Sequence, residues 1–322
     1  YERNKTGICV NRVFGYDGIV EIPDTLNGFP VTELGAYIFS DHIDVSELNK
    51  KKETGTYCTE NGTEETPADD MPQAAGNQVE EICLPRFLRK IGRYAFYNCF
   101  KLRRLKFCGE MKDLGAGALT GCHKMEQITV ETDENGQSAL RDFLTELPET
   151  LRVDMKTDGE LGRFWFPEFF EEGVENTPAR ILMTEVHGSG LYYRNCFQGK
   201  VFHFLEYDKR FEMARAQESS DFLREMVYGR LNWPTGLTEQ AKIQYEQYLK
   251  EHIEQIASDF IRQKRGEELE WLLHTYPLEP GQKELFTGLV NLADTVKSPE
   301  ILSMLMEYQR LHFPSKRRSF EL

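Results

Sequence analysis

The chain has 322 residues, of which 40% are hydrophobic and 29% charged, and its formal net charge at pH 7 is −14. This acidic balance argues against a nucleic-acid partner, because phosphate binding requires a basic surface. The sequence contains no run of eighteen apolar residues, so we do not expect membrane insertion.

The chain has seven cysteines, and no two of them form a CxxC pair. An odd number without that spacing argues against a disulfide framework or a zinc ribbon, and predicts free thiols in a reducing compartment. Residues 1–10, YERNKTGICV, lack the basic start and apolar centre of a signal peptide. We therefore expect a cytoplasmic location. An export signal trimmed from upstream of Tyr1 would instead make the chain secreted or place it on the cell surface.

The first half of the chain repeats itself. IGRYAFYNC at residues 91–99 returns 23 positions later as LGAGALTGC at residues 114–122. Several further positions keep the same step: Val79, Leu102 and Met125; Ile82, Leu105 and Ile128; Ala95 and Ala118; Cys99 and Cys122. A period of 20 to 29 residues is typical of leucine-rich-repeat solenoids, in which stacked rungs share one continuous core.

An earlier copy of the repeat, IVEIPDTLNGFPVTELGAYIFSD, occupies residues 19–41. Its Leu34 and Gly35 match Ile91 and Gly92 at an offset of 57 positions, which is one period plus 34 further positions, and its loop is longer by five. The additional residues lie at about 46–78 in a polar, acidic stretch that has few large apolar side chains. Such a stretch cannot bury enough surface to offset its ordering entropy, which predicts a flexible insertion between two rungs.

The repeats resemble the BspA-like leucine-rich repeats of bacteria. The resemblance covers about residues 8–132 and depends on EIP (21–23), ELGAYIF (33–39), CLP (83–85), KIGRYAFYNC (90–99) and DLGAGALTGC (113–122). It implies a leucine-rich-repeat domain over 1–132 that binds other proteins, and such repeat proteins include cell-surface adhesins. In such a rung, we expect Cys99 and Cys122 to pack inside as small hydrophobes rather than to bind a metal.

Six polar residues next to the inward positions form the candidate partner-binding face. They are Glu80, Glu81, Arg103, Arg104, Glu126 and Gln127. Neighbouring rungs stand about 4.8 Å apart, so opposite charges would face one another. These residues therefore form either a surface for a partner or an internal salt-bridge ladder that holds the strands in register.

Residues 133–208 are predicted to be a mixed connecting region. ALRDFLTELPET at residues 139–150 indicates a short helix, and strands are expected near 179–187 and 191–196. The aromatic run around Phe164, Trp165 and Phe166 is expected to be a hydrophobic joint between domains, with an exposed ligand platform as the alternative. His187 and Ser189 suggest a hydrolase as an alternative function, although their HGSG sequence is also typical of a tight turn.

Residues 209–322 are predicted to be a helical repeat domain. Tyr245, Leu249, Ile253, Ile256 and Phe260 recur at helical spacing and predict the buried face of one long helix, with Thr238 as its N-cap. Ser298 and Pro299 form a helix start signal, and the preceding helix is expected to turn Phe286, Leu289, Val290 and Ala293 inward. Residues 238–311 weakly resemble divergent ankyrin repeats, since each pair has an alanine in its first helix and a glutamate leading its second.

The sequence as a whole predicts an α+β chain: a short leucine-rich-repeat solenoid with a 23-residue period, followed by a mostly α-helical, ankyrin-like repeat domain. We expect a non-enzymatic scaffold with a protein partner and with no cofactor or metal. The alternatives are a cell-surface adhesin that binds host or matrix proteins, and a hydrolase that uses Ser189 and His187.

Overall fold

The computed structural model describes residues 1–41, 57–58, 64–65, 71–109, 111–176 and 181–313. The chain divides into two compact units, Tyr1–Ala241 and Lys242–Leu322. Both boundaries predicted from the sequence, at residues 132 and 208, fall inside the first unit. Most of the predicted acidic insertion at 46–78 lies outside the described residues.

The bounds of the strands, in chain order, are β1 (Glu2–Arg3), β2 (Ile8–Val10), β3 (Ile19–Glu21), β4 (Thr25–Leu26), β5 (Phe29–Leu34), β6 (Tyr57–Cys58), β7 (Glu64–Glu65), β8 (Glu81–Cys83), β9 (Lys90–Ile91), β10 (Arg104–Cys108), β11 (Asp113–Leu114), β12 (Gln127–Glu131), β13 (Leu151–Thr157), β14 (Glu160–Phe166), β15 (Phe170–Asn176), β16 (Ile181–His187), β17 (Phe197–Gln198) and β18 (Val201–Phe202).

The bounds of the helices are α1 (Leu140–Glu146), α2 (Gly190–Arg194), α3 (Phe204–Asp208), α4 (Phe211–Gln217), α5 (Ser220–Asn232), α6 (Glu239–Glu251), α7 (Ile253–Arg262), α8 (Gly266–Thr275), α9 (Lys283–Thr295) and α10 (Pro299–His312). Short 3₁₀ turns occupy Gly76–Gln78 and Pro280–Gln282.

One parallel sheet of the solenoid contains β3, β8, β10, β12 and β13 as adjacent rungs, and the antiparallel strand β14 ends it. Arg104 pairs with Glu81 on one side and with Gln127 on the other, so the register follows the predicted 23-residue step. Ile82, Leu105 and Ile128 are each at most 1% exposed. The predicted repeat and its inward positions are therefore confirmed.

A second parallel sheet joins β2, β5, β9 and β11, and β1 pairs antiparallel with β2 at its edge. Glu33 pairs with Lys90, 57 positions later, whereas Ile19 pairs with Glu81, 62 positions later. The two offsets differ by five positions because the first copy has the longer loop predicted from the sequence, and this loop forms the β4–β5 hairpin. Asn27 and Gly28 at its tip have φ values of 51° and 78°, as a type I′ turn requires.

The solenoid continues beyond residue 132. β13 pairs in parallel with β12, because Leu151, Val153 and Met155 supply inward apolar side chains although the residues between lack the repeat motif. The short helix predicted at 139–150 is confirmed as α1, and its Phe143 stacks on Phe107 of the core at 4.5 Å between ring centroids. An amphipathic helix can therefore replace the repeat segment, and the strand-to-strand step there is 25 residues, since Gln127 pairs with Arg152.

The region after the solenoid is partly as predicted. The strand expected near 179–187 is confirmed as β16, but the strand expected at 191–196 is wrong, because α2 occupies most of that segment. The buried Arg194 of α2 donates hydrogen bonds to the carbonyl oxygens of Leu147, at 2.7 Å, and of Glu149, at 2.6 Å. These acceptors lie more than forty residues earlier in the chain, so local patterning could not reveal them.

The aromatic run divides between core and surface. Phe164 and Phe166 are fully buried and both rings contact Tyr207, whereas Phe170 is 60% exposed. Because Phe164, Phe166 and Tyr207 all belong to the first unit, these contacts form part of its core and do not support the predicted joint between domains. Asp208 lies at the end of α3. It forms a fully buried bidentate ion pair with Arg230, with both N–O distances at 2.9 Å.

The second unit is helical. The five residues of the predicted apolar face are buried, but they belong to two helices, because the chain turns at His252 between α6 and α7. There the His252 backbone N–H is shared between the carbonyl oxygens of Tyr248, at 3.1 Å, and Leu249, at 3.2 Å. The Thr238 hydroxyl accepts from the Ala241 N–H at 3.3 Å, which confirms the predicted cap.

Two helical hairpins, α7–α8 and α9–α10, follow each other with the same turn. Lys264 and Lys297 have φ values of 56° and 52°, and these left-handed residues stand 33 positions apart in the sequence. Ser298 and Pro299 start α10 as predicted, and Phe286, Leu289 and Ala293 are buried in α9, whereas Val290 is half-buried. A 33-residue step is the period of ankyrin repeats, but the ankyrin resemblance remains a prediction.

We predict that Gly92→Ala destabilises the first unit by about 3 kcal/mol, because overpacking against backbone cannot be relieved by a side-chain movement. A Cβ at Gly92 would lie 2.4 Å from the Ala36 nitrogen and 2.6 Å from the Gly35 carbonyl carbon. Urea unfolding followed by circular dichroism measures the change. Gly15→Ala is the matched control, since no atom lies within 4 Å of its added Cβ, and an equal loss in both variants would contradict close rung packing.

We predict that the stability of the first unit decreases in alkali partly through Cys99. Burial raises the pKa of this thiol to about 12, whereas an unfolded thiol has a pKa of about 8.5. Above that lower value the unfolded chain loses a proton that the folded chain keeps, so the free energy of unfolding falls as pH rises. Between pH 8 and 10 the wild type should lose about 2 kcal/mol more than Cys99→Val. Parallel pH profiles would contradict this assignment.

Candidate functional site

The parallel sheet has one face in the core and one face outside. Val20, Ile82, Leu105 and Ile128 point inward, and alternate residues of the same strands point outward. We call the outward set on β3, β8, β10 and β12 the outer face. It consists of Ile19, Glu21, Glu81, Cys83, Arg104, Lys106, Cys108, Gln127, Thr129 and Glu131.

The six residues predicted as a partner-binding face form two rows. Glu81, Arg104 and Gln127 share one register row of the sheet. Glu80, Arg103 and Glu126 lie at the corner before the strands, where the Arg103 N–H donates to Glu80 O at 2.8 Å and the Glu126 N–H donates to Arg103 O at 2.9 Å. Half of the predicted set therefore belongs to the outer face, and the other half borders it.

Opposite charges meet across rungs in both rows. The Arg104 Nε lies 2.7 Å from Glu81 Oε2, and the Arg103 Nη2 lies 3.1 Å from Glu126 Oε1. The hydrogen bond to Glu81, together with its charge, raises the pKa of the Arg104 guanidinium. These pairs have the geometry of the predicted salt-bridge ladder. Arg103, Arg104 and Glu126 remain exposed to a partner, whereas Glu81 is half-buried.

The remaining members of the predicted face are placed differently. The Gln127 side-chain amide donates to Asp154 Oδ2 at 3.1 Å and to Thr129 Oγ1 at 3.3 Å, which ties β12 to β13. The Glu80 side chain is exposed, and its contribution to the corner row comes from its backbone carbonyl.

Two cysteines on the outer face were not singled out by the sequence analysis. Cys83 and Cys108 are free and half-buried, and desolvation raises the pKa of each thiol. For Cys83, the positive charge of Lys106 opposes that shift. Both thiols are therefore neutral near pH 7, which makes them weak nucleophiles and weak metal ligands.

One end of the sheet is covered by α5 and the residue after it. Arg163 of β14 donates to Asp154 at 2.6 Å, and its guanidinium carbon lies 3.7 Å from the centroid of the Trp233 ring. Trp165 meets Phe222 of α5 edge-on, at 6.5 Å between ring centroids. The outer face is therefore open over β3, β8, β10 and β12 and bounded beyond β13. Residues 220–233 carry no local pattern that points to this role.

The candidate hydrolase residues have separate partners. Ser189 is fully buried and its hydroxyl donates a short hydrogen bond to Glu218, whereas the His187 ring stacks on Phe170 at 4.6 Å between centroids. The His187 Nε2 lies 3.3 Å from Glu172 Oε2. These contacts do not arrange a histidine as a general base for the serine hydroxyl.

The described residues contain no group of three or more histidine, cysteine or acidic side chains placed to hold a metal ion. None of their helices combines the length and the apolar character needed to cross a bilayer.

Comparison with known proteins supports the repeat assignment. Residues 75–143 match the family model described as "BspA type Leucine rich repeat region (6 copies)". No curated protein and no solved structure matches the chain. The matched residues include β8, β10 and β12, whose register follows the 23-residue step. Residues 75–143 are therefore a BspA-type leucine-rich-repeat region.

Proposed function

We propose that this chain is a non-enzymatic protein-binding scaffold, and that the outer face is its binding surface. The observation that carries the proposal is the exposed, charged face of four parallel strands within and beside the BspA-type region. Solenoid repeats present extended surfaces to partners, and inter-rung ion pairs such as Arg104 with Glu81 hold this one in a fixed arrangement.

The size of the outer face indicates what else a partner would touch. Four strands about 4.8 Å apart, each three to five residues long, cover on the order of 300 Å². A stable complex buries about 800 Å² on each side. A partner would therefore extend onto the loops that follow the strands, where Phe87 is 51% exposed and Arg86 lies 3.8 Å from Asp24.

A scaffold and an adhesin would use the same face and differ in location. We place the scaffold in the cytoplasm, because free thiols such as Cys83 and Cys108 persist most easily in a reducing compartment. Treating intact cells with external protease tests this location. Protection of the chain supports the cytoplasmic scaffold, whereas shaving from the surface would support the adhesin.

We predict that a charge swap separates the structural role of the ladder from its role in binding. Arg104→Glu places like charges opposite each other and should lower the free energy of unfolding by about 0.5 kcal/mol, and adding Glu81→Arg should restore it. Because the swap reverses the charges that a partner meets, it should still weaken partner capture. The control is the double variant Lys90→Asp with Asp113→Lys, which swaps the exposed 3.6 Å pair of the other sheet. If partner capture falls only in those variants whose free energy of unfolding also falls, the result would contradict a binding role for the outer face.

We predict that a partner can be cross-linked from the outer face in native cells. A photo-cross-linking amino acid that replaces Lys106, which is exposed on β10, should give a discrete adduct after illumination. The control site for the cross-linking amino acid is Lys112, which is also exposed but lies just before β11 of the other sheet. Gel shift and mass spectrometry identify the adduct. The same adducts from both positions would contradict binding at this face.

A further inference from the structure

A long groove opens between α8 and α10 in the second unit. It consists of two hollows of about 740 Å³ and about 520 Å³, which share Glu270, Glu300 and Met304 in their walls. Gly266–Thr275 and Pro299–His312 run along its sides. At 1.5 Å per residue these helices measure about 15 Å and about 21 Å. The groove is therefore long enough for a helix of three to four turns.

The floor of the groove is apolar and fixed. Leu273 is 1% exposed and Tyr308 is 8% exposed, and both line the larger hollow. The Tyr308 hydroxyl accepts from the Leu278 N–H at 2.9 Å, and its ring stacks on Phe286 of α9 at 5.6 Å between centroids. Leu311, also in the lining, is 63% exposed. Apolar side chains of an occupant would cover this leucine without any rearrangement of the groove floor.

The rim of the groove is acidic. Glu267, Glu270 and Glu300 are exposed, and none of them forms an ion pair within the part of the chain that the structure describes. Two cations, Arg265 and the exposed Lys264, lie at one end of the groove, and Arg265 already pairs with Glu268 at 3.0 Å. Because unpaired carboxylates flank an apolar floor, the groove suits an occupant with apolar side chains on one face and lysine or arginine beside them.

We propose that this groove binds a basic amphipathic helix of a partner protein. The site is independent of the outer face, since all of its residues belong to the second unit. A helix would place apolar anchors at i, i+3, i+4 and i+7 against Leu273, Met304 and Leu311. Its flanking cations would meet Glu270 on one side and Glu300 on the other.

The test uses the full chain and a fluorescent 14-residue helical peptide with leucines on one face and lysines on both flanks. Anisotropy should show binding that is at least tenfold tighter than that of a matched peptide with glutamates instead of lysines, and that weakens as salt rises. Glu270→Lys with Glu300→Lys should weaken binding at least tenfold. The matched control, Glu254→Lys with Glu284→Lys, makes the same charge change on exposed positions of α7 and α9, outside the groove lining, and should change it less than twofold.

A second pair of variants tests the apolar contact. Leu311→Ala should weaken binding several-fold, whereas Met306→Ala should not, because Met306 is 54% exposed on the same helix but does not line the groove. Equal effects within either pair of variants would mean general attraction to an acidic chain and would overturn the proposal.

The chain's own basic segment is the competing occupant. Replacing Lys316, Arg317 and Arg318 by glutamate should leave peptide affinity within twofold if the groove serves a partner. A tenfold gain in peptide affinity would identify that segment as the occupant and would overturn the proposal of a partner helix. Arg104→Glu with Lys106→Glu on the outer face should leave peptide binding unchanged, which separates this test from that of the proposed function.

Discussion

The solenoid depends on the close approach of one rung to the next. At Gly92 and Gly115 the neighbouring backbone comes so near that an added Cβ would lie 2.4 Å and 2.3 Å from its closest atom. This spacing lets each rung hydrogen-bond to the rung before it, as the Gly92 N–H does to Leu34 O at 2.9 Å and the Gly115 N–H does to Ile91 O at 2.8 Å. The core and both sheets follow from this one constraint.

Because the rungs are held at a fixed spacing, equivalent side chains stack in columns. The interior column at Cys99 and Cys122 is buried, and each thiol donates to a carbonyl oxygen of the preceding rung, Phe39 and Phe96 respectively. The exterior column at Glu81 and Arg104 places opposite charges 2.7 Å apart. The same repetition that builds the core therefore produces an ordered, charged outer face, and the proposed scaffold function rests on that face.

The end of the solenoid and the start of the helical part are joined inside the first unit by buried polar groups. Arg194 donates hydrogen bonds to backbone carbonyl oxygens at the end of α1 and in the following turn. Desolvation lowers the pKa of its guanidinium to about 10. Arg230 is fully buried against Asp208 and under the Phe164 ring. Removing one member of such a pair leaves a buried charge, so these residues fix the position of α5, which closes one end of the outer face.

The sequence by itself determined the repeat, its register and the inward positions, because a solenoid is built from contacts at one fixed spacing in the chain. It also determined the helix starts at Thr238 and Ser298, which depend on local backbone geometry. Only the tertiary structure decided that β13 continues the sheet, that Asp208 pairs with Arg230 and that α5 closes the outer face. Each of these features depends on contacts between residues whose separation along the chain does not follow the repeat period. The groove between α8 and α10 likewise exists only once the two hairpins stack, because its acidic rim and apolar floor come from residues far apart in the chain, such as Glu267 and Glu300.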